Sequence, residues 1–252
     1  MTVSIPIVEM SGIGKRYGGV HALRHAALTV HPREIHAIVG DNAAGKSTLI
    51  KILSGAVQAD DGLVTVDGRP CHIRSPGHAK ELGIETVYQD LALADNLDIA
   101  SNIFLGRELM YPGLLRNFLD TKRMEREAEQ LLSRLKIRIP TVKQPVQNLS
   151  GGQRQCVAIA RTIYYDARLI VLDEPCAALG VEETRKVLEL VREMRDQGLT
   201  VLMISHNLRH VFDLCDRITV MKAGQTVGSR RIAETTHDEV LSLIVTGAGA
   251  LA

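Results

Sequence analysis

Five short apolar runs, separated by much longer stretches, constrain the fold of this chain more than any other feature of its sequence. Four of them are almost unbroken in apolar residues, whereas a strand with one solvated face alternates apolar and polar residues. Unbroken runs are typical of parallel strands that helices cover on both faces. The runs are Glu34–Val39, Ile84–Tyr88, Leu169–Leu172, Thr200–Ile204 and Arg217–Met221. With the helical stretches between them, they predict an α/β fold.

The stretch between the third and fourth runs has helical periodicity. Val187, Val191 and Met194 recur at helical spacing. Gly198 follows them as a predicted C-cap. We therefore interpret Val181–Arg195 as a crossover helix.

Two other parts of the chain depart from this pattern. Strand-like segments with turn signals at Val3–Val8, Ala26–Val30 and Gly62–Ile73 predict a small antiparallel sheet. Between about residues 91 and 159 no strand-like run occurs, and apolar residues at helical spacing mark an amphipathic helix. These residues are Met124, Ala128, Leu131, Leu132 and Leu135. We expect one domain over residues 1–252, with an α/β core at about 31–90 and 160–225 and a helical insertion at about 91–159.

Composition excludes several classes of function. With 30 Lys and Arg against 29 Asp and Glu, the charge is too balanced for a nonspecific nucleic-acid binder or a polybasic membrane-surface protein. Three Phe, five Tyr and no Trp are too few for a platform that stacks single-stranded bases. No apolar run approaches the roughly 18 residues of a membrane span, and the first residues lack a secretory signal. The four dispersed cysteines favour reduced thiols over a disulfide frame or zinc site. We expect a cytosolic chain that binds no nucleic acid.

A phosphate-binding motif follows the first apolar run. Gly40–Ser47 fits G-x-x-x-x-G-K-[ST] between a predicted strand and a predicted helix, which is the context that the motif requires. The loop amides direct partial positive charge at phosphates, Lys46 reaches the β and γ groups, and the Ser47 hydroxyl can ligate magnesium. A glycine-rich turn that binds nothing is the alternative, but it rarely combines this lysine with this context.

Two carboxylates follow the third apolar run. Asp173 and Glu174 stand at the C-terminal end of a predicted strand, where open α/β sheets bind ligands. Asp173 can hold magnesium through its water shell, and Glu174 can accept a proton from the attacking water or orient it. Alone, the pair would more often be the solvated start of a helix. The preceding run and the upstream phosphate loop favour a nucleotide hydrolase.

A second glycine-rich element, Leu149–Gln155, precedes a predicted helix over Cys156–Tyr164. Ser150 can cap that helix, and Gly151 and Gly152 leave its free amides open to an anion. The element has no lysine and no metal-binding carboxylate, so it is an incomplete phosphate site. It becomes complete if it closes over a nucleotide held by a second copy of the chain, head to tail. An ordinary glycine-rich helix start is the alternative.

With these motifs the chain resembles the ATP-binding subunits of ABC transporters over nearly its whole length. The resemblance implies a P-loop, RecA-like nucleotide-binding core with a small antiparallel β subdomain and an inserted α-helical subdomain. It also implies ATP and Mg²⁺ as cofactors. The residues expected to bind ATP are Tyr17, Gly40, Asp41, Asn42, Ala43, Ala44, Gly45, Lys46, Ser47, Thr48, Ser150, Gly151, Gly152 and Gln153. Those expected to bind Mg²⁺ are Ser47, Gln89 and Asp173.

Three residues take their roles from the resemblance alone. Gln89 matches a glutamine that contacts magnesium and the attacking water and moves with the membrane partner. His206 matches a histidine that contacts the γ-phosphate, and Tyr17 matches an aromatic ring that stacks on adenine. In isolation each would be an ordinary surface or structural residue. The expected catalytic residues are Lys46, Gln89, Glu174 and His206.

Three positions depart from the family pattern. Ala43 stands where the family usually has Gly, which costs on the order of 1 kcal/mol if the position requires a positive φ. Cys176 replaces the usual Thr or Ser and puts a thiol near the nucleotide, which can make the site sensitive to oxidation, and a small buried filler is the alternative. Gly180 replaces an Asp found in many members, a change that can weaken communication between two sites, and a trait of a subfamily is the alternative.

Three strings resemble the importers of ribose, galactose, xylose and fructose: Gly83–Gln89, Asn102–Glu108 and Ala177–Val181. Most of these importers fuse two ATP-binding halves in one chain. This chain has a single half and in that respect resembles the fructose-type members. We expect an ATPase that energises sugar import, closing as a homodimer on ATP. The expected partners are a membrane permease and, indirectly, a periplasmic sugar-binding protein. The expected location is the cytoplasmic face of the bacterial inner membrane, as a peripheral protein.

Two other functions remain as alternatives. A non-transport ABC ATPase that acts on DNA or ribosomes usually carries a long coiled-coil insertion or paired domains, and neither is visible here. A regulatory module that binds ATP without turnover would not need the full catalytic set, which is intact in Lys46, Asp173, Glu174 and His206.

Overall fold

The computed structural model describes residues 5–164 and 167–247, without the side chain of residue 114. Within these ranges the strands are β1 (Val8–Tyr17), β2 (Val20–Val30), β3 (Ile35–Val39), β4 (Asp61–Val66), β5 (Arg69–Pro70), β6 (Ile84–Val87), β7 (Leu169–Asp173), β8 (Thr200–Ile204), β9 (Arg217–Lys222) and β10 (Gln225–Arg231). The helices are α1 (Lys46–Leu53), α2 (Pro76–Glu81), α3 (Ile99–Ile103), α4 (Thr121–Arg134), α5 (Gly151–Ile163), α6 (Val181–Asp196), α7 (Leu208–Leu214) and α8 (His237–Thr246). The predicted α/β class is confirmed.

The larger sheet has six strands in the order β10-β9-β3-β8-β7-β6. Five of these strands, β9, β3, β8, β7 and β6, are parallel to one another, and β10 pairs antiparallel with β9. The five apolar runs are confirmed as strands, and their ends differ from the predicted ends by at most one residue. Strand β10 was not predicted, because its sequence is largely polar and most of its residues are exposed or half-buried at the sheet edge.

Both faces of the larger sheet are buried, as unbroken apolar runs predict. All five residues of β3 and all five of β8 are buried. Along β3, Ala37 and Val39 belong to a core cluster shared with α4, α5 and α6, whereas Ile38 belongs to a second cluster shared with α1 and the smaller sheet. Alternate residues of one strand thus fill two cores, and a change of register by one residue would exchange them.

The smaller sheet is antiparallel, in the order β2-β1-β4-β5, as predicted. The strand predicted over Val3–Val8 is wrong in position, because β1 begins at Val8 and continues to Tyr17. Residues 3 and 4 lie outside the described part of the chain. The pairing of β1 with β2 shifts register between Met10 and Ile13 and again beyond it, so the apolar residues of β1 do not keep a period of two.

Four predicted helices are confirmed, as α1, α4, α5 and α6. Helix α5 begins five residues before the predicted start at Cys156, because Ser150 and Gln153 form a reciprocal capping box at its N-terminus. In the described residues between 91 and 159, the only strand pairings are isolated bridges, one between Met110 and Leu119 and one between Asp98 and Pro145. The boundaries of the helical insertion and of the core stay a prediction.

None of the described helices combines the length and the apolar character that crossing a membrane requires.

Candidate functional site

The phosphate loop leaves the buried strand β3 through backbone conformations that glycine allows. Gly40 has φ 150°, and a Cβ there would lie 2.1 Å from the Met221 carbonyl oxygen. Gly45 has φ 99°, and a Cβ there would lie 2.8 Å from the Ala22 carbonyl oxygen. Neither position accepts a side chain, so the two glycines fix the path of the loop against β9 and β2. No side chain caps α1, so the amides of its first turn face the loop.

Ala43 adopts the left-handed conformation, with φ 67°. The position therefore does require the positive φ that favours glycine, and the alanine costs about 1 kcal/mol of strain. The folded phosphate loop therefore contains a strained backbone conformation at Ala43.

Lys46, the first residue of α1, folds back over the loop. Its Nζ donates hydrogen bonds to the carbonyl oxygens of Gly40, at 2.7 Å, and Asp41, at 2.9 Å. Burial lowers the pKa of Lys46, and the carboxylates of Glu174, Asp41 and Asp173 oppose that shift. The ammonium group lies inside the loop, where a phosphate would be held.

Strand β7 places the two carboxylates at the carboxyl-terminal edge of the larger sheet, where the phosphate loop also begins. Asp173 is the last residue of β7 and lies opposite Ile204 of β8. Burial and then the neighbouring charge of Glu174 raise the pKa of Asp173, against the attraction of Lys46 and Lys51. The phosphate loop and the carboxylates therefore form one site, and the two acidic groups repel each other within it.

Glu174 is held in a strained backbone conformation, with φ 52°. Its N–H donates to the Ile204 carbonyl oxygen at 3.1 Å. Its Oε2 lies 2.8 Å from Nδ1 of His206, which follows the end of β8. A non-glycine residue at positive φ beside a ligand loop is a common mark of a functional position.

Residues with oxygen donors suited to magnesium follow three strands of the larger sheet: Ser47 after β3, Asp173 at the end of β7 and Gln89 after β6. The Ser47 hydroxyl, the Asp173 carboxylate and the Gln89 amide are the ligand types that Mg²⁺ prefers, and Mg²⁺ usually keeps several waters. A divalent cation would also relieve the repulsion that raises the pKa of Asp173. In the described residues, no three or more His, Cys, Asp or Glu side chains are grouped to hold a metal. The site therefore fits Mg²⁺ bound largely through water and phosphate.

Gln89 lies two residues beyond β6, the strand next to β7, and its side chain is exposed. The chain that follows it is tied to α5. Arg161 donates from its two terminal nitrogens to the carbonyl oxygens of Leu91, at 3.0 Å, and Ala92, at 2.9 Å. Gln89 thus stands at the start of a loop that is anchored to the helix bearing the second glycine-rich element.

The first five residues of the second glycine-rich element, Leu149–Gln153, are called the signature below. They form the N-terminus of α5. The Ser150 Oγ accepts from the Gln153 N–H at 3.4 Å, and the Gln153 Oε1 accepts from the Ser150 N–H at 3.1 Å. The described hydrogen bonds of Gly152 lead to Glu183 of α6 and none leads to the phosphate loop. Among the described residues, no hydrogen bond joins the signature to the phosphate loop.

Sequence reasoning missed Glu183. It lies in the first turn of α6 and accepts from the N–H groups of both Gly152 and Gly180. The signal that could have found it is a glutamate three residues after the N-cap Gly180, the spacing of a capping box.

Tyr17 ends β1 beside the turn into β2, and its ring is 48% exposed. The Nζ of Lys15 lies 5.7 Å from the ring centroid, so the ring has a cation on one side. An exposed ring on the strand pair that contacts Gly45 is open to stacking by a planar base.

The surroundings of Cys156 and Cys176 disfavour the thiolate form. Burial raises the pKa of Cys176 to about 11 and that of Cys156 to about 12. Both are therefore protonated at neutral pH, and protonated thiols oxidise slowly. The expectation that Cys176 is open to oxidation is not supported by its surroundings. All four cysteines are free, as predicted.

A family model described as ABC transporter matches residues 23–177. The chain is 48% identical to the fructose import ATP-binding protein of Rhizobium meliloti, over 87% of this chain and 86% of that one. It is 44% identical to the xylose/arabinose import ATP-binding protein of Sulfolobus acidocaldarius, over 94% and 93%. It is 41% identical to a ribose import ATP-binding protein of Escherichia coli O157:H7, over 96% of this chain but only 47% of that protein. The chain thus spans about half the length of the ribose relative.

Solved structures share the fold. A nucleotide-free ATP-binding cassette from an ABC transporter superposes with TM-score 0.80 at 26% identity, over 96% of this chain and 95% of that one. A cassette bound to ADP and Pi in a dimer superposes with TM-score 0.74 at 23% identity, over 89% and 98%.

Proposed function

The chain belongs to the ABC transporter family of ATP-binding proteins, and from that premise we propose that it hydrolyses ATP to drive the import of a monosaccharide. The observation that carries the proposal is the meeting of Lys46, Asp173 and the paired Glu174 and His206 at one edge of the larger sheet. Phosphate binding, metal binding and water activation need these groups at one place.

Each residue has a role in that reaction. The loop amides of Gly40–Thr48 and the Lys46 ammonium hold the β- and γ-phosphates of ATP. Ser47, Asp173 and Gln89 would hold Mg²⁺, which would supply positive charge beside the phosphates. Glu174 takes a proton from the attacking water or orients it, and His206 orients Glu174 and contacts the γ-phosphate. Tyr17 stacks on the adenine.

The second half of the site comes from a second copy. The signature residues Ser150, Gly151, Gly152 and Gln153 offer anion-binding donors but lack a cation, and within one chain the Gly152 N–H is bonded to Glu183 of α6. A head-to-tail homodimer would supply each phosphate loop with the partner's signature. The dimeric form of a cassette that shares this fold supports this arrangement.

Sugar import is proposed from the relatives. The relatives from Rhizobium meliloti, Sulfolobus acidocaldarius and Escherichia coli O157:H7 are named for the import of fructose, xylose or arabinose, and ribose. We propose a membrane permease as the direct partner and a periplasmic sugar-binding protein as an indirect one, with this chain peripheral at the cytoplasmic face of the inner membrane. Gln89 and the loop that Arg161 anchors would carry closure from the permease to the nucleotide.

Light scattering after gel filtration tests the proposal. The Glu174→Gln variant, which binds ATP but lacks the base, should change from monomer to dimer only with Mg-ATP. The unmodified chain should hydrolyse ATP, which distinguishes it from a regulatory module. Lys46→Ala is the matched control, because it removes the phosphate contact and should neither dimerise nor turn over. ATP binding with neither dimer nor turnover would overturn the assignment.

A further inference from the structure

The N-terminus of α5 already faces an internal carboxylate. Glu183 accepts hydrogen bonds from the N–H groups of Gly152 and Gly180, each at 3.3 Å. The Ser150 hydroxyl, the Gly152 amide and the Gly180 amide lower the pKa of Glu183, so its carboxyl is ionised at neutral pH. Two backbone N–H groups, one at the start of α5 and one at the start of α6, thus converge on one negative charge.

The Gly152 amide is one of the donors that the signature would offer to a phosphate. In the first turn of α5, the backbone N–H of Gln153 donates to the Ser150 Oγ, and the backbone N–H of Gly152 donates to the Glu183 carboxylate. A phosphate that arrives at this helix end meets a carboxylate of like charge on the same donors.

The contact is fixed by close packing. A Cβ built on Gly152 would lie 2.8 Å from the Cβ of Glu183, so the backbone of α5 lies directly against the start of α6. Lys186, one turn along α6, attracts the Glu183 carboxylate. The neighbouring Glu182 is paired instead with Arg185, at 3.0 Å.

We propose that Glu183 is a positioning residue that holds the Gly152 amide in the separated subunit and thereby sets the ATP concentration at which two copies close. The inference rests on the proposed function, because it needs the partner's nucleotide to reach the signature. On closure, the γ-phosphate takes over the donors that Glu183 releases. Removing the charge of Glu183 should therefore favour the closed pair.

The test compares dimer formation against Mg-ATP concentration in three chains. Glu174→Gln is the reference, Glu174→Gln with Glu183→Gln removes the charge but keeps the side-chain length, and Glu174→Gln with Glu182→Gln is the matched control. We expect the midpoint to fall about two- to fivefold with Glu183→Gln, the range for one charge at a helix terminus, and to stay unchanged with Glu182→Gln. With Glu174 intact, Glu183→Gln should lower the KM for ATP by a similar factor without raising kcat. Glu183→Asp, which keeps the charge, should restore a midpoint near the reference.

The outcomes separate the two proposals. If the Glu174→Gln reference does not dimerise with ATP, the proposed function fails and this inference fails with it. If the reference dimerises but Glu183→Gln leaves the midpoint unchanged or raises it, only the inference is overturned. An equal fall with Glu182→Gln would also overturn it, because the effect would then belong to net charge and not to the contact with Gly152.

Discussion

The Oε2 of Glu174 and the Nδ1 of His206 lie 2.8 Å apart, although 32 residues separate them in the chain. The parallel pairing of β7 with β8 brings them together, because each side chain follows the end of its strand. The exposed fractions of the two side chains differ, 20% for Glu174 and 73% for His206. A half-buried carboxylate is thus oriented by a ring that an arriving phosphate can touch.

Replacing His206 should slow the reaction without preventing ATP binding. His206→Ala leaves Glu174 without its orienting hydrogen bond, and we expect kcat to fall about 100-fold, the lower end for a positioned acid-base group. The KM for ATP should change much less, since the loop holds the β-phosphate. Steady-state ATP turnover measures both. Arg209→Ala, an exposed residue of α7, is the control. A kcat within twofold of the unmodified chain would contradict the assigned role.

Restoring glycine at the strained loop position should stabilise the fold. Ala43 has φ 67°, so Ala43→Gly should raise the free energy of unfolding by about 1 kcal/mol. Urea denaturation without nucleotide measures the change. Ala44→Gly is the control, because Ala44 is buried without a positive φ and should lose stability instead. A loss of stability in both variants would show that no strain is stored at residue 43.

Removing the charge of Asp173 should stabilise the nucleotide-free protein while abolishing turnover. Its pKa is raised in the folded state, so the fold binds more protons than the unfolded chain between the two pKa values. Stability from this group is therefore present below the unfolded pKa and is lost as pH rises through the folded pKa.

Urea denaturation at two pH values checks this sign. Asp173→Asn should be more stable than the unmodified chain at pH 7, and the difference should shrink towards pH 4. Asp216→Asn is a useful contrast, because Asp216 accepts from the Ile35 N–H and should lose stability on substitution. A variant at Asp173 that is less stable at pH 7 would show that its carboxylate is satisfied without a cation.

The two signature glycines should tolerate alanine differently. A Cβ on Gly152 would lie 2.8 Å from the Glu183 Cβ and 3.3 Å from its Cα, so Gly152→Ala must separate α5 from α6. We expect a loss of about 1–3 kcal/mol, the range for overpacking, and a fall in ATP turnover. At Gly151 the nearest atom is the Leu179 Cδ2, at 3.1 Å, which can move aside. Gly151→Ala should therefore keep its stability, as thermal unfolding can measure. Equal losses would show that the close contact at Gly152 is not special.

Much of the fold could be predicted because the strands of the larger sheet are buried on both faces. Their apolar runs need no knowledge of neighbours, and their predicted ends are within one residue of the observed ends. Strand β10 and the position of β1 could not be predicted in this way. β10 lies at a polar edge, and the register shifts of β1 break its period. In both, pairing with a neighbour decides the structure more than local composition does.

The residues of the candidate site were predictable where a motif includes its own context. The phosphate loop and the carboxylates after β7 follow buried strands, so their meeting at one edge follows from the parallel sheet. The contact of Glu183 with Gly152 was not predictable, because it depends on how α5 packs against α6. The left-handed backbone conformation of Ala43 and Glu174 could not be predicted from these residue types, since neither type favours it.

The hydrogen bonds of Lys46 to the Gly40 and Asp41 carbonyl oxygens have a consequence for product release. They hold the loop in its binding shape before any phosphate arrives, so little conformational entropy is lost when a nucleotide binds. A preorganised loop of this kind grips the diphosphate that ATP and ADP share equally well. The loop amides therefore give no preference for the substrate over the product. Discrimination must come from groups that reach the third phosphate, such as Lys46 and His206, and the loop amides keep their hold on ADP after that phosphate has left.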